Sequence, residues 1–197
     1  VVSVCHFESE NDWWVAKHIR KPIKSTITAL DWHPNNCLLA AGSSGFKVRL
    51  YSAYVKEIEK QPAETPWGNE TPFQNPIVEF SNSLQGGGWV HSVSFSGDGS
   101  RLAWVSHDSS ISVVDAKREM QVFRLKTEYL PLLSCIWISP DKLVAAGHGC
   151  TPLIFKVDGS GKVEFVAELE KKENKSTKGK LSAQEIAKLR DTRGRNW

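Results

Sequence analysis

The stretch LDWHPNNCLLAAGSS, residues 30–44, decides the fold because most of it recurs twice further along the chain. Residues 30–41 align without a gap with residues 93–104, so that Trp32 matches Phe95. A third copy, residues 135–146, aligns without a gap at a further spacing of 42 residues and places Trp137 at the same position. A period of about 40–45 residues is typical of the four-stranded blades of β-propellers.

Each copy predicts the same series of strands and turns. In the second copy, strands are expected at residues 93–95, 101–105 and 111–114, with a fourth at 121–125. The intervening turns are rich in Gly, Asp and Ser, which supply positive φ angles and side-chain hydrogen bonds to the backbone. The predicted class is therefore all-β, built from repeated hairpins.

The chain is too short for a closed ring. Residues 1–7 and 13–19 alternate like the third and fourth strands of a blade, so the sequence begins inside one. A seven-bladed ring needs roughly 300 residues at about 40–45 per blade, and 197 residues supply about four blades. We therefore predict a partial propeller over residues 1–169.

An insertion at about residues 57–88 explains the longer first spacing of 63 residues. Four prolines and three consecutive glycines argue against a helix there. Trp67 and Phe73 are its apolar anchors. We expect them to pack on the propeller rim; the alternative is a neighbouring protein.

Asp31-Trp32-His33 resembles a catalytic or metal site, but its repeats argue otherwise. The other copies carry Ser or Ile where Asp31 and His33 stand. We therefore interpret this tripeptide as a strand end leading into a turn.

A second catalytic candidate is the hydrolase-like set His107, Asp108 and Ser110. Catalytic triads usually join distant segments, so Asp108 is better interpreted as a turn residue. Phosphate-binding loops, nucleophile elbows and zinc-protease motifs are absent from the sequence. We predict no catalytic residue, no cofactor and no metal site.

The basic charge is confined to one segment. Residues 170–197 contain nine Lys or Arg against four Asp or Glu, although the whole chain carries a net charge of only +3. The body therefore offers no broad surface for nucleic acid. No apolar stretch approaches the ~18 residues that span a bilayer. The four cysteines are far apart in sequence, as expected of buried thiols in a reducing compartment.

The basic segment contains one predicted helix, beginning at about residue 182. Ser182 and Glu185 form a capping box, and Leu181 can pack against Ile186. Ile186 and Leu189 share one face, whereas Lys188 and Arg190 point away from it. About ten residues are too few for a stable isolated helix.

We predict that this helix binds protein through a set of five residues. The set is Leu181, Ile186, Leu189, Lys188 and Arg190. The parent propeller or another protein could receive the apolar face. The remaining alternative is a solvated linker helix.

Several longer stretches identify a family. They include ENDWWVAKHIRKPI, FKVRLYSAYVKEIE, TPWG, GWVHSVSFS, RLAWVSHDSSISV and LVAAGH. Together they resemble the forty-kilodalton WD-repeat subunit (subunit 1) of the actin-related protein 2/3 complex, over residues 1–168. The resemblance implies a seven-bladed WD-repeat propeller whose basic segment is an insertion before the last blade.

The same resemblance implies a non-catalytic scaffold in the cytoplasmic actin cytoskeleton. Expected partners are the other subunits, including an actin-related protein, the actin filament and nucleation-promoting factors, but not nucleic acid or membrane. Beside the parent propeller, another subunit or a groove on actin is then an expected receiver of the predicted helix. One alternative is a WD-repeat adaptor of another assembly, such as a trafficking or ubiquitin-ligase complex. Another is nucleic-acid binding through the basic segment, which would depend steeply on salt.

Overall fold

The computed structural model describes residues 1–56, 58, 64–68, 72–82 and 87–169, whose regular structure is entirely β. The strands are β1 (Val2–Glu8), β2 (Trp13–Ile19), β3 (Ile27–Trp32), β4 (Leu38–Ser43), β5 (Lys47–Ser52), β6 (Pro76–Ser81), β7 (Val90–Phe95), β8 (Arg101–Ser106), β9 (Ser110–Asp115), β10 (Val122–Lys126), β11 (Leu132–Ser139), β12 (Lys142–Gly147), β13 (Leu153–Val157) and β14 (Val163–Glu168). The all-β prediction is confirmed. The predicted helix at residue 182 and the basic segment lie outside the described residues.

The strands form antiparallel sheets in which neighbours in sequence are neighbours in space. A half-blade contains β1–β2, blade 1 contains β3–β6, blade 2 contains β7–β10 and blade 3 contains β11–β14. The first strands of successive blades contact one another, which makes them the inner strands. The prediction of about four propeller blades, the first of them incomplete, is confirmed.

The fourth strand of blade 1, β6, was not predicted from the sequence. It lies within residues 57–88, which were predicted to be an inserted loop, and pairs with β5 from Lys47↔Ser81 to Tyr51↔Pro76. Proline cannot donate to a sheet ladder, but it is tolerated at the first residue of an edge strand. Pro76 occupies that position. The proline content therefore concealed a strand.

The repeated aromatic residues lie at or near the ends of the inner strands. Trp32 lies opposite Leu39 in blade 1, and Phe95 lies opposite Leu102 in blade 2. In blade 3, Trp137 lies opposite Leu143, but the pairing shifts before Ser139 meets Lys142. This shorter hairpin makes the ungapped alignment of the third copy wrong beyond its turn.

Each inner strand also has one extra residue, left unpaired, near its start. The pairing skips Thr28 in blade 1, His91 in blade 2 and Leu133 in blade 3. Such a β-bulge leaves one residue out of the ladder and redirects its side chain. The three bulges occupy matching positions in the repeat.

The core consists of three apolar clusters that lie between sheets. The half-blade packs on blade 1 through Val4, Ile19 and Tyr51, among others. Blade 1 meets blade 2 around Leu50 and Trp104, and blade 2 meets blade 3 around a third cluster. All six residues of β4 are buried, because blade 1 has a neighbour on each face.

Blades 1 and 2 come into close contact at Gly99, in the turn between β7 and β8. Its φ angle is +72°, and its carbonyl oxygen accepts hydrogen bonds from His33 Nε2 at 3.1 Å and Trp67 Nε1 at 2.7 Å. A Cβ atom at this position would lie 2.1 Å from His33 Nε2. Only glycine fits here without displacing the imidazole.

Gly99→Ala should therefore destabilise the protein by about 2 to 3 kcal/mol, through crowding of His33 and the positive φ angle. Gly97→Ala is the matched control in the same turn, since its added methyl group would meet no other residue within 4 Å. Urea unfolding measures both free energies. Equal values for the two variants would contradict the proposed contact.

Candidate functional site

Asp31 and His33 lie at the junction of blades 1 and 2. Asp31 Oδ2 accepts a hydrogen bond from the Phe95 backbone amide at 2.7 Å. His33 is buried; its Nδ1 accepts from the Asn35 amide at 3.1 Å, so its Nε2 carries the proton donated to Gly99. Both side chains are thus engaged in joining two sheets, and the structural interpretation of Asp31-Trp32-His33 is confirmed.

The residues of the hydrolase-like set do not assemble into a triad. Asp108 accepts a hydrogen bond from Ser110 Oγ at 2.7 Å and forms an ion pair with Arg124. His107 instead meets His91, with 3.0 Å between Nδ1 and Nε2. Asp108 therefore organises the turn between β8 and β9, as the sequence predicted, and does not form part of a triad with His107 and Ser110.

The anchors of the insertion pack within the chain. Trp67 is buried and packs edge-on against Phe95, with 5.9 Å between ring centroids, in addition to its bond to Gly99. Phe73 packs against the cluster between the half-blade and blade 1. The prediction of intramolecular packing is confirmed for both residues. Trp67 places the insertion across the junction of blades 1 and 2.

The junction of blades 2 and 3 depends on two residues for which the sequence predicted no contact between blades. Arg101 pairs with Asp115 at 2.9 Å and donates to the Pro140 carbonyl at 3.1 Å, which belongs to the next blade. Trp137 Nε1 donates to the Ser94 carbonyl at 3.0 Å. The repeated aromatic position was the available signal for Trp137. Nothing in the repeat pattern distinguished Arg101 from a surface cation.

Burial also removes one cysteine from the set of potential nucleophiles. Cys135 lies in the cluster between blades 2 and 3, where desolvation raises the pKa of its thiol to about 12. A buried thiol in an apolar setting stays protonated and unreactive. Among the described residues no group of three or more His, Cys, Asp or Glu is placed to hold a metal ion.

Two sheet faces at the ends of the described blades are exposed and apolar. Leu30 and Trp32 are the counterparts of Val93 and Phe95, which are buried against the preceding blade. Leu30 and Trp32 are half exposed, because the half-blade before them has only two strands. At the other end, Ile136 and Ile138 of β11 are exposed. Both faces are therefore positions where further blades would pack.

The five residues predicted to bind protein lie outside the described residues. They are Leu181, Ile186, Leu189, Lys188 and Arg190. Their roles stay predictions. The part of the chain that the structure describes also includes no helix that is long and apolar enough to cross a membrane.

One repeat of the chain matches a known family model. The family model for the WD domain, G-beta repeat, matches residues 17–52. This range takes the end of β2 from the half-blade and β3, β4 and β5 from blade 1. One sequence repeat therefore contributes strands to two sheets.

Longer matches extend over nearly the whole chain. Actin-related protein 2/3 complex subunit 1A-B of Xenopus laevis is 55% identical over 193 residues, covering 98% of this chain and 52% of the relative. Subunit 1 of the same complex in Schizosaccharomyces pombe is 42% identical, covering 82% of this chain and 43% of the relative. The chain is a WD-repeat homologue of these subunits. It spans about half the length of the curated relatives it matches.

Solved WD-repeat structures agree with the blades described above. The structures of U3-55K and of the RRP9 WD40 repeats match with TM-scores of 0.58 and 0.59, each at 14% sequence identity. The matched regions cover 78% and 79% of this chain, and 41% of each of the two solved chains. At this identity the likeness shows the WD-repeat fold alone.

Asp31 provides a test of the junction in this WD-repeat fold. Burial is the main cause that raises the pKa of Asp31 above its usual value, although the amides of Phe95 and Trp32 oppose it. Asp31→Asn keeps an oxygen acceptor and removes the charge, so at pH 7 we expect stability to be unchanged or higher by up to about 1 kcal/mol. Asp31→Ala removes the acceptor and should cost about 1 to 3 kcal/mol.

The advantage of Asn should depend on pH with a definite sign. Because the folded pKa of Asp31 exceeds the unfolded one, the cost of its charge is absent below about pH 3.9 and grows as the pH rises through the folded pKa. Urea unfolding of the three proteins at acidic and neutral pH measures this difference. An Asn variant as unstable as the Ala variant would refute the role assigned to Asp31.

Proposed function

We propose that this chain is part of subunit 1 of an actin-related protein 2/3 complex and acts there as a non-catalytic scaffold. The observation that carries the proposal is the 55% identity to a subunit of that name over 98% of this chain. The identity extends through all three blades and their junctions, well beyond the single matched repeat. It is therefore not explained by the WD-repeat fold alone.

The architecture suits a scaffold, because each sheet is held by the next through apolar clusters and polar contacts. Rigid sheets keep their edges and connecting turns at fixed separations, so these surfaces can hold several proteins in one geometry. We propose that further blades cover Leu30 and Trp32 at one end and Ile136 and Ile138 at the other. The completed ring would then present its outer surfaces to partners.

The proposed partners are the neighbouring subunits, one actin-related protein, the actin filament and nucleation-promoting factors. We place this scaffold in the cytoplasm, at the actin cytoskeleton, without nucleic-acid or membrane partners. The absence of catalysis is part of the proposal. It is supported by the use of Asp31, His33 and Asp108 in contacts within and between blades.

Co-purification tests the assembly. The complete natural chain, tagged and recovered gently from its own cells, should elute in one sized peak with stoichiometric actin-related proteins. Gly99→Ala should lower the yield of that assembly, whereas Gly97→Ala should not, because only the former disturbs the junction of blades 1 and 2. A peak without actin-related proteins would refute this function but not the propeller fold.

The most specific alternative is an adaptor in another assembly. It arises because the WD-repeat fold, shared with U3-55K and RRP9 at only 14% identity, does not by itself specify the partners. The same experiment distinguishes it, since different proteins would then co-elute in stoichiometric amounts.

We further propose that residues 181–190 dock on actin. Leu181, Ile186 and Leu189 would enter an apolar groove, and Lys188 and Arg190 would meet acidic residues beside it. The support is the capping box and apolar spacing in a segment rich in Lys and Arg.

Replacement of Leu181, Ile186 and Leu189 by Ala should slow branch formation by the complex on the order of a hundredfold, since three buried anchors at about 1 kcal/mol each weaken docking by about 3 kcal/mol. Assembly of the complex should not change. Gln184→Ala, on the opposite side of the predicted helix, is the control. Unchanged branching in the triple variant would exclude docking of this segment on actin.

A further inference from the structure

Two histidines meet at the end of blade 2 opposite Gly99, and a third on blade 3 influences them electrostatically. His91 is the extra residue of the bulge in β7, His107 lies in the turn between β8 and β9, and His148 lies in the turn between β12 and β13. The bulge removes His91 from the ladder and turns it towards His107. The imidazole pair, His91 and His107, has its Nε2 and Nδ1 atoms 3.0 Å apart.

The imidazole pair can hold one extra proton but not two. A hydrogen bond between two rings requires an N–H on one nitrogen and a lone pair on the other. If both rings are charged, both facing nitrogens carry protons and the acceptor is lost. The second proton must therefore break the contact or bind far less readily than the first.

No nearby counter-charge is available among the described residues to relieve a second proton. Asp108, next to His107, already binds Arg124 and Ser110. His148, on the adjoining blade, adds a further titratable group of the same sign. Partial burial is the main cause that lowers the pKa of His91 below its usual value of 6.5, and His107 and His148 add to this effect.

The pair connects to an exposed aromatic surface. The His107 amide donates to the Trp89 carbonyl at 2.9 Å, and the Trp89 ring lies 6.0 Å from the His107 ring. More than half of the Trp89 surface is exposed to solvent. Movement of His107 would therefore change both the position of the β8–β9 turn and the setting of Trp89.

We propose that the imidazole pair is an acid-sensitive contact, closed at neutral pH and opened when the second proton binds. Opening removes the side-chain contact that joins the turn at His107 to β7 and leaves positive charge beside Trp89. The pair also makes the free energy of unfolding depend on pH. The unfolded chain, with ordinary histidines, binds more protons than the folded one, so the stability contributed by the pair is lost as the pH falls below about 6.5.

Imidazole NMR of the complete natural chain, between about pH 8 and pH 5, tests the contact. The second proton of the imidazole pair should bind only at a clearly lower pH than the first. In His107→Asn, whose amide replaces Nδ1 without titrating, His91 should titrate in one step. His18→Asn is the control, because His18 bonds Ser3 on the half-blade and should leave both steps unchanged.

Hydrogen exchange of the His107 amide gives a second readout. After correction for the intrinsic rate, exchange should rise several-fold from about pH 7.5 to pH 5.5 in the wild type and stay constant in His107→Asn. If that variant fails to fold, His91→Gln offers the same comparison from the other ring. A single common titration step for both histidines, or equal exchange in wild type and variant, would overturn the proposal.

Discussion

Each four-stranded sheet of this chain has two apolar faces, and a single sheet cannot shield either of them from water. Blade 1 illustrates the consequence, because alternate residues of β4 point to opposite sides, Leu39 towards the half-blade and Leu38 towards blade 2. Every blade therefore depends on two neighbours for its core. This requirement explains why the buried clusters lie between sheets, and why the faces at Leu30 and Ile136 are apolar even though they are exposed.

Apolar packing alone would allow neighbouring sheets to slide, and the polar contacts at the junctions prevent it. Asp31, His33 and Trp67 each bind a particular backbone group of blade 2, and Arg101 and Trp137 do the same between blades 2 and 3. Hydrogen bonds weaken steeply as their distance and angle change, so these contacts tolerate little displacement. Asp31 and His33, which first suggested chemistry, are thus among the residues that set the spacing of the blades. For a scaffold, that spacing determines where its partners are held.

Much of this fold could be predicted from the sequence, because strand alternation and the 42-residue spacing report directly on hairpins. The bulges at Thr28, His91 and Leu133 could not, since one extra residue is visible only once the partner strand is known. β6 was hidden by proline, and the destination of Trp67 was hidden because Gly99 belongs to another sheet. The predicted protein-binding residues at 181–190 lie outside the described residues, so the structure does not test them. The local sequence pattern thus predicts the strands and turns, whereas bulges and contacts between sheets depend on residues distant in sequence.

The bulges have an evolutionary consequence. A residue that takes no part in the ladder can be exchanged without loss of strand pairing, so selection on its side chain is separated from selection on the sheet. The three matching positions hold a hydroxyl, an imidazole and an isobutyl group, at Thr28, His91 and Leu133. Thr28 uses its hydroxyl to reach the Val90 carbonyl of the next blade, and His91 reaches across its own blade to His107. One repeated backbone irregularity thus gives each blade a site at which the side chain can serve a different task without a change in strand pairing.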